Sequence, residues 1–298
     1  MTKLAFYSRI RSVQQGYSST TYFVTFVDNS SIVVQFRPAS RALDAARISS
    51  VRLRLGCLVP EAQLQKIQND TIFVYQMTRI PGNSFSSFLR TPDFVHFLPS
   101  IAAGMGHLLG KCYIPGSRTI DNQAWFEMAQ EQMQAAADSD DPLLVVNQTH
   151  YRKMLDILRS GALNDLPLAI TNGDISPTNI IVNNNGILTG LVDWEHIEEW
   201  PLGWELRAVF WMMGKGMGGG ENYVLHNNSL QIQDAFWKEF GAQLPVTVRQ
   251  QRSAIQSAMQ IGAAASTCLY GKYNGAHFAS LPSMLEYSIP PAFWSSEL

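Results

Sequence analysis

The feature that most constrains this chain is a change of periodicity near Gly82. Before it, β-branched and aromatic runs alternate with turn residues; after it, apolar residues recur at three- and four-residue steps. Residues 21–27 and 32–36 flank the turn cluster Asp28-Asn29-Ser30-Ser31 and read as a hairpin. Residues 38–55 read as a helix: Pro38 suits a first turn, Leu43, Ala46, Val51 and Leu55 are apolar, and Gly56 is a stop. Residues 72–77 read as a further strand ending before Ile80-Pro81-Gly82. The first 80 residues are therefore expected to form a small antiparallel sheet carrying one helix.

Beyond Gly82, Phe94, Phe97, Leu98, Ile101, Met105, Leu108, Leu109 and Cys112 mark an amphipathic helix. Weaker helices fall at 121–137 and 147–160. Leu206, Val209, Phe210 and Met213 mark another, and Ile255, Met259, Gly262, Ser266 and Leu269 a long one. The stripes at 94–112 and 206–213 read as core. One island, with β segments at 168–170, 180–183 and 187–193, interrupts the helical part. At 298 residues the chain has length for two domains or one bilobal unit. The expected division is 1–80 and 81–298.

Charge narrows the partners. With 22 basic and 24 acidic residues the net charge is −2, which offers no footprint for nucleic acid or an anionic membrane. Cys57, Cys112 and Cys268 are too scattered for a disulfide framework or a zinc knuckle. Residues 1–15 lack the apolar core of a signal peptide, and no apolar run approaches the ~18 residues of a membrane span. A soluble, cytoplasmic protein with a small-molecule substrate is expected.

The island carries the chemistry. It reads Thr171-Asn172-Gly173-Asp174-Ile175-Ser176-Pro177-Thr178-Asn179, then Gly190-Leu191-Val192-Asp193-Trp194-Glu195 after a turn at 183–186. Asn179 and Asp193 can converge with Asp174 across one small sheet. Hard oxygen ligands of this kind suit magnesium, and a carboxylate not committed to metal can orient or deprotonate a hydroxyl.

At this point the sequence resembles the aminoglycoside phosphotransferase-like branch of the protein-kinase-like fold. That family's pattern is His-Gly-Asp-x-x-x-x-Asn, followed after a hairpin by an Asp. Asn172-Gly173-Asp174, Asn179 and Asp193-Trp194-Glu195 stand at that spacing. Within the branch, the stretches 174–182 and 193–196 look most like fungal small-molecule phosphotransferases. The resemblance implies an α+β, bilobal protein-kinase-like fold, with a small antiparallel-sheet N-lobe and a larger, mostly helical C-lobe. It implies ATP and Mg2+ as cofactors, Asp174 as catalytic base, and Asn179 and Asp193 as metal ligands. Gln15–Thr20 would cover the nucleotide, with Ser18 and Ser19 contacting phosphate. Residues 75–80, including Met77, would form the hinge that holds adenine, and Glu205 would anchor loop backbone.

Three positions depart from the pattern. Gln35 stands where the phosphate-gripping strand lysine is expected, leaving Arg37, two residues on and on the same strand face, to bind phosphate. The helix glutamate that pairs with that lysine has no counterpart, Asp44 being the nearest carboxylate. Asn172 replaces the histidine. Glu195 and His196 read as loop-end polar groups, and residues 214–220, with five glycines, as either a lid or a surface loop. Trp200, Trp204, Trp211, Tyr223, Trp237, Tyr270, Tyr273, Phe278 and Phe293 suggest an uncharged, apolar or aromatic acceptor of the secondary-metabolite type. The expected activity is ATP- and magnesium-dependent phosphorylation of a hydroxyl on such a molecule. The alternatives are a kinase-like scaffold reused as a cyclase, isomerase or pericyclase, and a non-catalytic binding module.

Overall fold

The computed structural model of the chain describes residues 7–12, 19–68, 71–215, 223–271, 276–290 and 293. Its first part is a five-stranded antiparallel sheet built from β1 (Tyr7–Ser12), β2 (Thr20–Phe26), β3 (Ser31–Pro38), β4 (Ala62–Gln68) and β5 (Ile72–Thr78). The strand order is β1-β2-β3-β5-β4. The β2–β3 hairpin turns at Asn29, whose φ of 66° suits an Asn in a tight turn. The sheet is longer by β1 and β4 than the sequence pattern indicates. Both are edge strands: β1 is exposed along its whole length and carries no apolar alternation, and the alternation of β4, Ala62-Gln63-Leu64, is broken by a bulge between Leu64 and Lys66.

The predicted helix over 38–55 begins later. Pro38 closes β3, residues Ala39–Arg41 form a 3-10 turn, and α1 runs Ala45–Leu55. Asp44 is its N-cap, accepting a hydrogen bond from the Arg47 backbone N–H at 2.9 Å. Gly56 ends it at φ 64°. Ile48, Val51 and Leu55 are its buried face.

The second part is mostly helical: α2 (Leu98–Lys111), α3 (Ala124–Ala137), α4 (Gln148–Arg159), α5 (Ser229–Ala242), α6 (Arg252–Gly271) and α7 (Ala276–Glu286). Helix α2 packs along α5, and α6 packs against α3, α4 and a 3-10 segment, Trp204–Val209. That segment was expected to be α-helical; only Phe210–Met213 continues it as one short α turn. The apolar stripes at 94–112 and 206–213 are core from Leu98 on, as their periodicity indicates, while Phe94 and Phe97 are partly buried against it. Gly262 lets α6 approach closely: a Cβ there would collide with the Trp204 carbonyl oxygen.

The island is built as expected. β6 (Asn83–Ser84), β8 (Ile180–Val182) and β9 (Leu188–Leu191) form one small sheet, and β7 (Leu168–Thr171) pairs with β10 (Glu198–Pro201) in another. Both are antiparallel. Among the described residues no helix is long and apolar enough to cross a membrane.

Candidate active site

The turn after β7 holds the first carboxylate, and its backbone is fixed from behind. Gly173 and Asn172 donate their N–H groups to the two oxygens of Glu205, at 2.7 and 3.0 Å. Asn172 turns its amide on the opposite loop, donating to the carbonyls of Val192 and Asp193 at 3.3 and 3.1 Å. Asn172 thus ties the two halves of the site together where the family has a histidine. Gly173 sits at φ 78°, and a Cβ there would lie 2.7 Å from both Cβ and O of His196, so the turn needs glycine twice over.

Burial pushes the Glu205 carboxyl up to about 7, against the pull of the two N–H donors and Arg207. A carboxyl whose folded pKa lies above its unfolded value, here 4.5, supports stability below that value. The support is lost as pH rises through the folded pKa. Wild type is therefore expected to lose stability relative to Glu205→Gln as pH is raised from about 5 to about 8. Denaturant midpoints of the pair across that window measure it; a constant difference would rule it out.

Asp174 is half-buried, and its pKa is raised first by burial and then by the neighbouring Asp193 charge. Asn179 donates its amide to both the backbone carbonyl and Oδ2 of Asp174, at 2.9 and 3.0 Å. The Val192 N–H donates to the Asn179 carbonyl at 2.9 Å, bringing the Asp193 loop alongside. Asp193 has φ 58°, a left-handed backbone that only Gly, Asn and Asp adopt readily. Asp174, Asn179 and Asp193 are thus brought together as the sequence predicts.

Their donor set fits magnesium. Asn179 commits its NH2 to Asp174, and Asp193 commits Oδ1 to Arg37. Asn179 Oδ1 and Asp193 Oδ2 have no hydrogen-bond partner among the described residues. Among those residues no group of three or more His, Cys, Asp or Glu side chains could cage a metal. Magnesium takes one or two protein carboxylates and completes its shell with phosphates and water, so two such oxygens suffice for it.

The strand side differs from expectation. Arg37 does share a face with Gln35, whose Oε1 accepts from Arg37 Nε at 3.1 Å. Its guanidinium, 1% exposed, is engaged by protein: Nη2 donates to Asp193 Oδ1 at 3.0 Å and Nη1 to Glu195 Oε2 at 2.7 Å. Arg41 reaches the other Glu195 oxygen at 3.2 Å. Glu195 is therefore no loose loop-end group: its side chain is 8% exposed and held by two arginines. These pairs join residues 154 to 158 positions apart, so no local pattern announces them. Asp44, the nearest carboxylate to the expected helix glutamate, instead caps α1.

The remaining cofactor candidates fall on or near one sheet face. Gln35 pairs with Thr21 and Tyr75, and Val33 with Phe23 and Met77, so strand alternation puts Gln35 and buried Met77 on the face that carries Arg37. Ser19 meets the Thr21 hydroxyl at 3.1 Å. Tyr75 is structural, its hydroxyl bonded both ways to the Leu43 backbone at 2.9 and 3.0 Å. Ser18 with residues 15–17, residues 216–220 and Tyr273 lie outside the described residues.

The aromatic residues read as a substrate surface are largely core. Trp204, Trp237 and Phe293 are buried; Trp200 packs edge-on against Trp204 at 4.8 Å, and Trp237 against Phe293 at 5.4 Å. Trp237 donates to the Tyr287 hydroxyl at 2.6 Å, and Tyr223 to the Phe210 carbonyl at 3.0 Å. Composition alone cannot separate an aromatic lining from an aromatic core.

A small antiparallel sheet over a helical lobe, with Asp174, Asn179 and Asp193 on loops of the second, is the bilobal protein-kinase-like fold of small-molecule phosphotransferases. The chain belongs to the phosphotransferase enzyme family (APH), whose profile matches residues 9–227. Solved structures share the fold at low identity. A thermostable mutant of aminoglycoside phosphotransferase APH(4)-Ia, in ternary complex with AMP-PNP and hygromycin B, is 12% identical with a TM-score of 0.60, covering 95% of each chain. Amicoumacin kinase hAmiN, in complex with AMP-PNP, Ca2+ and Ami, is 11% identical with a TM-score of 0.58, covering 97% of this chain and 92% of its own. A macrolide 2'-phosphotransferase type I is 14% identical with a TM-score of 0.56, covering 95% and 92%. A search of curated protein sequences returns no match.

Proposed function

We propose that the protein transfers the γ-phosphoryl group of ATP to a hydroxyl of a small molecule. The observation that carries this reading is the convergence of Asp174, Asn179 and Asp193, with one side-chain oxygen left without a hydrogen-bond partner among the described residues on each of the last two. Asp174 orients the acceptor hydroxyl and takes its proton. The acceptor oxygen bonds to the γ-phosphorus as the bond to the ADP oxygen breaks, giving ADP and a phosphate monoester. Asn179 and Asp193 would hold magnesium, which when bound neutralises phosphate charge. Residues 1–80 form the nucleotide-covering lobe in this reading, with Ser18, Ser19, Gln35 and Met77 lining the nucleotide side, and 81–298 carry the acceptor.

An acceptor without multiple positive charges, of the natural-product type, is favoured by the scarcity of carboxylates. Only Glu221, Asp234, Glu239, Glu286 and Glu297 follow Glu205. A polycation would require clustered acids to offset its charge.

The test is thermal. MgATP at ~100-fold over its Kd adds ~2.7 kcal/mol, which for a chain of this size raises Tm by about 5 °C. No shift at millimolar MgATP would remove the kinase reading and leave the reused-scaffold and binding-module alternatives.

A further inference from the structure

Arg37 occupies the strand position from which a cation is expected to reach phosphate, yet its geometry points elsewhere. The guanidinium is 1% exposed and makes four hydrogen bonds: to Gln35 Oε1, the Arg41 carbonyl, Glu195 Oε2 and Asp193 Oδ1. A guanidinium has five N–H groups, so little of it is left to grip a nucleotide. Glu195 in turn is fixed at its other oxygen by Arg41. The result is a chain of charges, Arg41–Glu195–Arg37–Asp193, running from the turn before α1 to the carboxylate of Asp193.

We propose that Arg37 is a positioning residue for the metal-binding carboxylate, and that Glu195 serves as its anchor in place of the absent helix glutamate. The proposal deepens the nucleotide reading above and rests on it. Nη2 of Arg37 holds Oδ1 of Asp193, which fixes the carboxylate plane and leaves Oδ2 as the oxygen available to a cation. A fork with two donors on different nitrogens can hold Asp193 and Glu195 at once; a lysine ammonium has no fixed fork with which to do so. The usual polarity is thereby altered: the strand cation serves the metal ligand, and its carboxylate partner comes from two residues beyond that ligand. Outer-shell partners that orient a metal ligand typically change metal affinity ~10–100-fold when removed.

The experiment measures ATP binding by calorimetry on the full chain, once in EDTA and once across a magnesium titration. Two variants are used: Arg37→Met, and Glu195→Gln, which preserves side-chain volume should the first fail to fold. A readout confined to fold stability would not separate the roles, so the measured quantities are affinity for metal-free ATP and the magnesium midpoint of the added affinity. The expected result is a magnesium midpoint raised at least ~10-fold, with affinity for metal-free ATP changed less than about twofold. A tenfold or larger loss of ATP affinity in EDTA, whatever happens to the midpoint, assigns the guanidinium to phosphate and overturns the proposal. So does an unchanged midpoint in a folded variant. Wild type that binds no ATP in either condition overturns the functional reading itself, and the proposal with it.

Discussion

Replacing Asp174 by Asn is expected to lower turnover by ~10²–10⁴-fold while leaving MgATP binding in place, because proton removal by a positioned base contributes about that much. Asn preserves the size of the side chain. The Asn179 amide can still donate to an oxygen at position 174, as it does to Asp174 Oδ2 at 3.0 Å. The loop itself is fixed by contacts the substitution does not touch, namely the Asn172 and Gly173 N–H bonds to Glu205. What is lost is the proton acceptor. Steady-state kinetics and a MgATP thermal shift on the same preparation check this together. Near-wild-type turnover in Asp174→Asn would sink the assignment of the base, and loss of the thermal shift would mean that the residue serves the nucleotide instead.

The second large effect is expected at Asp193. Asp193→Asn should cost ~10²–10³-fold in turnover, the scale seen when one group stabilising charge in the transition state is removed. In contrast to Asp174→Asn, much of the loss should appear as weaker magnesium-dependent ATP binding. Asn is the informative replacement because position 193 has φ 58°. Asn tolerates that backbone, whereas Ala would add strain of about 1–2 kcal/mol and blur the reading. The paired titrations, ATP with and without magnesium, measure it. Equal magnesium dependence in wild type and Asp193→Asn would exclude Asp193 as a ligand.

The sequence was informative where short-range patterns governed the outcome. The hairpin, β5, the long apolar helices and the island from Thr171 to Asp193 each follow from spacing within a few residues. So does the helix cap at Gly56. Glu205 as anchor of the loop backbone came from the resemblance, and its two oxygens do accept the Asn172 and Gly173 N–H groups. What the sequence hid falls into two kinds. Edge strand β1 lacks the one-sided alternation that marks a buried strand, and in β4 a bulge between Leu64 and Lys66 breaks it, so both were concealed. Long-range pairing concealed the rest: nothing near Arg37 indicates that it meets Asp193, 156 residues away. The aromatic residues illustrate a third limit. Trp204 and Trp237 have the same composition signal whether they face a ligand or the core, and only packing decides.

The close seating of α6 on the Trp204 carbonyl has a mechanical corollary. Trp204 is followed directly by the glutamate that holds the Asp174 turn by two N–H bonds. Adding even a methyl group at Gly262, on a helix that bears none of Asp174, Asn179 and Asp193, would shove that segment and drag the turn with it. A lesion there would masquerade as an active-site defect, and a screen for inactive variants would return it among the chemical ones.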